Sequence, residues 1–290
     1  MTVQTDDLAS LEAGLDALET HERVRVSRLA KGWSATWPPL AFVGLLVVGW
    51  QLVYSAHVAP DYKLPSPGSV LTSLKDEFNS GDLTEAVWNS IRRGGIGFLA
   101  SLLIATPLGL LVGRVKPVRR AVGPILSGLQ SLPSVAWVPA AVLWFGFSDA
   151  TIYFVVLFGA VPSIANGVIS GLDQVPPLFL RVGRVLGARG LDSARYVLLP
   201  AALPGYVSGM RQGWAFSWRS LMAAELIARS PDLGLGVGQL LDSARLNIDI
   251  SGVIAGVFTI LVIGIAVELC VFAPLERRVL RRRGLLTATL

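Results

Sequence analysis

Phe179-Leu180-Arg181-Val182-Gly183-Arg184-Val185-Leu186-Gly187-Ala188-Arg189-Gly190 runs directly into Leu191-Asp192-Ser193-Ala194-Arg195-Tyr196-Val197-Leu198-Leu199-Pro200. Apolar and basic side chains alternate along it at helical intervals, and glycines interrupt it at 187 and 190. The pattern predicts two helical pieces broken at 187–190, one face able to dock while the other meets water. Asp192, or Ser193 beside it, is placed to cap the second piece. On either side the character changes. Residues 150–172 carry no charge, and residues 205–227 are apolar apart from Arg211, Arg219 and Glu225. A basic segment between two runs of about 20 apolar residues, the length that crosses a bilayer, reads as a cytoplasmic loop between membrane helices.

Four more apolar runs flank this unit, at 38–56, 94–113, 121–148 and 252–273. The whole chain is 52% apolar and 16% charged, against about 25% charged in a soluble domain. Its mean hydropathy is +0.59. These values exclude a disordered chain, a collagen and an ordinary soluble enzyme. They predict an all-α polytopic membrane protein with six transmembrane helices. Pro107, Pro124, Pro133 and Pro139 fall within the second and third runs, where a soluble helix would tolerate them poorly.

The basic residues choose the orientation. They gather before the first run (Arg23, Arg25, Arg28, Lys31), between the second and third (Arg114, Lys116, Arg119, Arg120), in the 173–203 loop (Arg181, Arg184, Arg189, Arg195) and after the last (Arg277, Arg278, Arg281, Arg282, Arg283). The positive-inside bias places both termini and both loops in the cytoplasm. The expected organisation is a cytoplasmic tail at 1–37, a first transmembrane helix at 38–56, an outer loop at 57–91, a five-helix core at 92–274 and a basic cytoplasmic tail at 275–290. The tail at 1–37 opens with acidic residues rather than the basic head of a secretory signal. Leu11, Leu15 and Leu18 give it an amphipathic helical pattern. In the outer loop, Leu64-Pro65-Ser66-Pro67 reads as a rigid turn before a short helix at 68–78.

Several chemistries lack their residues. Cys270 is the single cysteine, and His21 and His57 are far apart, so no disulfide, metal site or cysteine–histidine nucleophile can be assembled. None of the four lysines follows a glycine, so there is no nucleotide-binding loop. Gly234-Leu235-Gly236-Val237-Gly238 has no strand–helix unit around it and reads as a turn. No base-reading helix is visible, so nucleic acid is not an expected partner despite a net charge of +5. No catalytic residue or cofactor is expected.

The run at 205–227 has two distinct faces. Gly205, Gly209, Gly213 and Ser217 recur every four residues, a spacing that lets helices pack closely. Arg211, Trp218 and Glu225 recur every seven and form a separate stripe. A charge facing lipid costs about 2.5–3.5 kcal/mol or more, so this stripe should face a pathway, a partner or another helix. Candidate pathway residues are therefore Arg211, Trp218, Arg219 and Glu225, with Pro133 and Pro139 bending the third run. The competing expectation is that Arg211 or Arg219 forms a structural ion pair with Glu225 or Glu268.

The loop resembles the cytoplasmic signature of permease subunits from binding-protein-dependent ABC importers: E-A-A-x-x-x-G, nine residues, then I-x-L-P. Here Gly187 is followed by nine residues and then Val197-Leu198-Leu199-Pro200. The opening triplet is instead Arg181-Val182-Gly183, so the signature's acidic residue is absent. Leu64–Pro67, the stretch Ser131 to Pro139 leading to Leu143-Trp144-Phe145-Gly146, and Ser217-Trp218 through Ala224-Glu225 resemble the nitrate/sulfonate/taurine/bicarbonate branch. The resemblance covers roughly residues 60–285. It implies a multi-pass subunit of a prokaryotic cytoplasmic membrane that carries a small solute, most simply an anion such as an aliphatic sulfonate, taurine or nitrate. Implied partners are cytoplasmic ATPase subunits, an extracytoplasmic solute-binding protein and a second permease subunit, a homodimer being the default. A coupling helix near 181–192 would engage the ATPase, with Arg181, Val182, Gly183, Gly187, Ala188, Asp192, Leu199 and Pro200 as its residues. The alternative is an ATP-independent secondary transporter or channel, with the loop as an interfacial helix pair.

Overall fold

The computed structural model of the chain describes residues 28–228 and 233–283. The amphipathic pattern at Leu11–Leu18 and the end of the basic tail lie outside them. The chain divides into two units, Met1–Val58 and Ala59–Leu290. The described part of the first is helix α1, Arg28–Ser55, whose segment Trp37–Ser55 is long and apolar enough to cross a membrane.

The second unit opens with α2, Pro67–Ser80, at the place where the LPSP turn predicts a helix. Ser66 caps it, its hydroxyl accepting from the Ser69 amide at 3.0 Å, and Pro67 occupies the first turn, where no amide donor is needed. Gly81, with φ +88°, closes α2 and leads into α3, Asp82–Arg114. Then follow α4 (Lys116–Ser131), a 3-10 turn (Ser134–Trp137), α5 (Val138–Phe145) and α6 (Asp149–Asp173). Next come α7 (Pro177–Val185), a single turn at Gly190–Asp192 and a π-helical stretch, Ser193–Leu198, that continues into α8 (Leu199–Ile227). The unit ends with α9 (Val237–Leu246), α10 (Ile250–Val267), a π-helical stretch at Glu268–Phe272 and α11 (Ala273–Arg282).

Helix α6 is the centre of this unit. Val155, Val156, Ile164 and Ala165 are fully buried along it, packed between α3 and α8. Both contacts depend on missing side chains. A Cβ on Gly97 of α3 would lie 2.7 Å from Val156, and one on Gly109 the same distance from Val168. On α8, a Cβ on Gly205 would lie 2.5 Å from the Gly171 Cα, and one on Gly209 would lie 2.6 Å from the Gly167 Cα. The small-residue face of 205–227 thus meets a matching glycine face of α6, backbone against backbone. In lipid, where apolar burial drives no association, such close packing is a main source of helix–helix affinity.

Among the described residues, four helices are long and apolar enough to cross a membrane: Trp37–Ser55, Asp82–Arg114, Asp149–Asp173 and Ile250–Arg282. They contain the expected runs at 94–113, 150–172 and 252–273 and most of that at 38–56. The run at 121–148, expected as one span bent at Pro133 and Pro139, is two helices meeting at 96°. Pro133 stands at the break, and Pro139 lies in the first turn of α5. The 205–227 run lies within α8, 29 residues long, which is not among the four. Asp192 and Ser193 make no side-chain cap, since the chain is already helical through both.

Candidate functional site

The 173–203 segment breaks where its glycines stand. Helix α7 ends in a Schellman turn: the Gly187 amide donates to the Arg184 carbonyl at 3.1 Å and the Ala188 amide to the Gly183 carbonyl at 2.9 Å. This closure requires a left-handed residue, and Gly187 has φ +87°. Gly183 is buried against Val197, where a Cβ would come within 2.8 Å. Val175, Leu198 and Ala202 form a small apolar core beneath the segment. The Arg114 guanidinium, at the end of α3, donates to the Gly190 carbonyl at 3.2 Å. A cavity of about 610 Å³ remains between the segment and the adjacent ends of α3 and α6. Arg119 holds Asp173 through two 2.6 Å hydrogen bonds.

The other side of α7 is bare. Val185 is 86% and Leu186 80% exposed, and Leu178 and Val182 are exposed beside them. Arg181 is exposed beside them, while Arg184 and Arg189, also exposed, line the cavity. The eight expected coupling residues therefore separate by role. Arg181, Val182 and Asp192 present side chains outward. Gly183, Gly187 and the half-buried Ala188 shape the turn, while Leu199 and Pro200 form the first turn of α8.

The pathway candidates separate as well. Arg211 is neutralised by two carboxylates, Glu268 at 2.5 Å and Glu276 at 3.1 Å, which realises one of the expected ion pairs. Trp218 is buried, stacked on Trp214 at 6.1 Å with its indole nitrogen donating to the Ile260 carbonyl at 3.3 Å. Arg219 is exposed, and among the described residues no carboxylate lies within ion-pair distance of it. Its Nε donates to the Ala215 carbonyl of its own helix at 3.0 Å, and its guanidinium lies 4.7 Å from the Phe216 ring centre. Close to Pro133, the hydroxyls of Ser134 and Ser220 lie 2.6 Å apart and tie the bend to α8.

Glu225 pairs with neither arginine of its own helix. It is fully buried at the end of α8, and its partner is Arg93 of α3 at 3.2 Å. The Ser90 hydroxyl reaches the same carboxylate at 2.7 Å, and the Gly238 amide donates to it at 3.1 Å. Arg93, also fully buried, spends its remaining donors on Asp149 of α6 at 2.8 Å and on the Leu233 carbonyl. The glycine-rich 234–238 stretch is the cover of this cluster. A Cβ on Gly236 would sit 2.7 Å from the carboxylate oxygens. Ser90 and Arg93 were not expected here. A lone acid at the end of an apolar run requires a cation at the same end of the bundle, and the basic pair Arg92–Arg93 was the sign that could have been followed.

A third feature opens between α4, α6 and α8. It is a recess of about 450 Å³ lined by Gln130, Asn166, Ser170, Gln174, Ser208 and Gln212. The Asn166 amide donates to the Gln130 side-chain carbonyl at 2.7 Å.

Residues 105–281 match the family described as the binding-protein-dependent transport system inner membrane component. A putative ABC transporter permease protein of Methanocaldococcus jannaschii is 30% identical over 79% of this chain and 86% of its own. A putative aliphatic sulfonates transport permease of Bacillus subtilis is 29% identical over 90% of this chain and 92% of its own. The Escherichia coli taurine transport system permease is 28% identical over 89% and 95%. The fold resembles a chain of the inward-facing MetNI methionine ABC transporter, with a TM-score of 0.54, 21% identity, and 68% of this chain and 96% of that one covered. A glycine-turned helix pair with a bare face, standing where the importer signature falls, is thus found within a family match that spans most of the second unit, and the chain belongs to the family of inner membrane components of binding-protein-dependent transport systems.

Proposed function

We propose that the chain forms one half of the membrane pathway of an ATP-driven importer for a small anion of the sulfonate, taurine, nitrate or bicarbonate kind. The named relatives act on aliphatic sulfonates, taurine, nitrate and bicarbonate, which supports that substrate class. The observation that carries the ATP-driven part is the α7 loop. Gly183 packs against Val197 and the Arg114 guanidinium ties the Gly190 carbonyl to the end of α3, yet the loop presents Val182, Val185 and Leu186 bare, with Arg181 exposed among them. An apolar patch of this kind marks a protein interface. A rigid helix seated in a partner can transmit that partner's closure to the helices it is anchored to.

In this reading both termini and the α7 loop face the cytoplasm, and the Glu225 end of α8 faces outward. Six spans result when α8 and the bent α4–α5 pair each count as one. The 57–91 segment, which holds α2, lies outside, and the core runs from 92 to 274. A second copy of the chain completes the pathway, and a solute-binding protein delivers the anion. The test is uptake into proteoliposomes holding the chain, its ATPase and its binding protein. Uptake that requires ATP and both partners is expected. ATP-independent flux through the chain alone would replace this reading with a secondary transporter or channel.

A further inference from the structure

Arg211 and Arg219 lie eight residues apart on one helix and meet opposite fates. Arg211 sits between two carboxylates. Arg219 has only its own helix: one nitrogen on the Ala215 carbonyl and the plane of the group over Phe216. Nε is thereby occupied, while the two terminal nitrogens have no protein partner among the described residues. Those two nitrogens are the fork that binds a planar or tetrahedral oxyanion through parallel hydrogen bonds. Phe216 supports the guanidinium without neutralising it.

The surroundings of Arg219 give that free charge a use. Ser208, Gln212, Ala215 and Arg219 are all exposed, and helical geometry puts them on one face of α8. Two of the four, Ser208 and Gln212, also line the 450 Å³ recess, opposite Gln130, Asn166 and Ser170. Among the described residues, every polar side chain lining this recess is an amide or a hydroxyl, and no carboxylate lines it. Among the described residues, one face of the helix thus carries a single unneutralised cation and, about 10 Å further along at 1.5 Å per residue, a recess rich in neutral donors. A conducted ion needs this order: attraction strong enough to bring it in, then contacts weak enough to let it leave.

We infer that Arg219 is the anion-recognising residue of the pathway and that the recess at Gln130, Asn166, Ser170, Ser208 and Gln212 receives the anion after it. The inference rests on the importer reading of the chain. It gives Arg211 the structural role and Arg219 the transport role.

The test uses the complete complex of permease, ATPase and binding protein in proteoliposomes, with radiolabelled taurine, ethanesulfonate and nitrate as probes. Uptake and binding-protein-stimulated ATP hydrolysis are measured together. For Arg219→Gln, uptake of the transported anion should fall by about tenfold or more, the loss expected for a charge-assisted hydrogen-bonded pair. Complex assembly and stimulated hydrolysis should be retained. Arg219→Lys keeps the charge without the fork and should fall between the two. Gln212→Ala should raise the KM for uptake more than it lowers the maximal rate.

Wild-type uptake by Arg219→Gln would overturn the inference. So would loss of assembly in that variant, which would assign Arg219 to an ion pair with a second copy. ATP-dependent uptake of an uncharged or cationic solute, with all three anions refused, would overturn the inference and leave the importer intact. Failure of the importer reading has its own signature: no dependence of flux on ATP in the wild type.

Discussion

The two ends of α8 are finished in opposite ways. At the Glu225 end, a buried carboxylate meets a buried guanidinium, a hydroxyl and a backbone amide, under a glycine cover that leaves no room for another group. At the loop end, α7 turns on Gly187 and leaves five apolar side chains, Leu178, Phe179, Val182, Val185 and Leu186, and three arginines exposed. The first end completes itself within one chain. The second leaves its apolar surface open. The difference shows that a buried charge and a bare apolar patch pose the same problem, uncompensated surface; one is solved internally, and under the importer reading the other is left for a partner.

The closed end should be the more sensitive to truncation. Arg93→Ala strands Glu225 and Asp149 without their cation. Removing one member of a buried pair costs about 3–5 kcal/mol, so the variant should lose most of its monodisperse, folded yield in detergent. A normal melting temperature would break the comparison at its closed side.

The α6–α8 crossing comes next. Gly209→Val puts a branched side chain where even a Cβ would lie 2.6 Å from the Gly167 Cα. Overpacking costs about 1–3 kcal/mol, and backbone cannot give way as a side chain would, so the upper part of that range is expected, read as a lowered melting temperature. A smaller effect is expected at Gly187→Ala. There is open space around the position, so the penalty is the left-handed backbone alone, about 1–2 kcal/mol. Its signature should be weakened ATPase binding with only a modest loss of stability.

The smallest effect concerns pH at α2, outside the membrane helices. Burial, and then the nearby Asp249 and Asp82, push the Glu77 carboxyl up from 4.5 to about 7. The folded chain therefore holds this proton more tightly than the unfolded one. The resulting stability is fully present below about pH 4.5 and is lost as pH rises through 7. Glu77→Gln should flatten the melting temperature across that window, and an unchanged pH profile would remove Glu77 from the account.

Much of this architecture was legible in the residues because lipid enforces simple rules. Apolar runs gave α3, α6 and α10, the glycine period on 205–227 gave a close-packing face though not its partner α6, and Gly187 with its spacing to Pro200 gave the turn and its family. What escaped depends on tertiary neighbours rather than on period. Pro133 and Pro139 marked the 121–148 run for a bend but not its size, 96°, beside which Trp137 packs against Phe158, 4.6 Å between ring centres, and Ser134 meets Ser220. Arg93 carried no sign of its partner because Glu225 lies more than a hundred residues away in sequence. Asp192 and Ser193 resembled a cap because the π-helical continuation that removes the need for one leaves no mark in composition.

The central claim is that the loop end is open in order to receive an ATPase. The most direct measurement is co-purification of the tagged full chain with its co-expressed ATPase, comparing wild type with the double variant Val185→Asp and Leu186→Asp. Both side chains are at least 80% exposed, so the permease itself should keep its melting temperature, as surface substitutions change stability by about 0.5 kcal/mol or less. The account predicts that the ATPase is lost from the variant while the permease remains folded. Full retention of the ATPase, or unfolding of the permease, would contradict it.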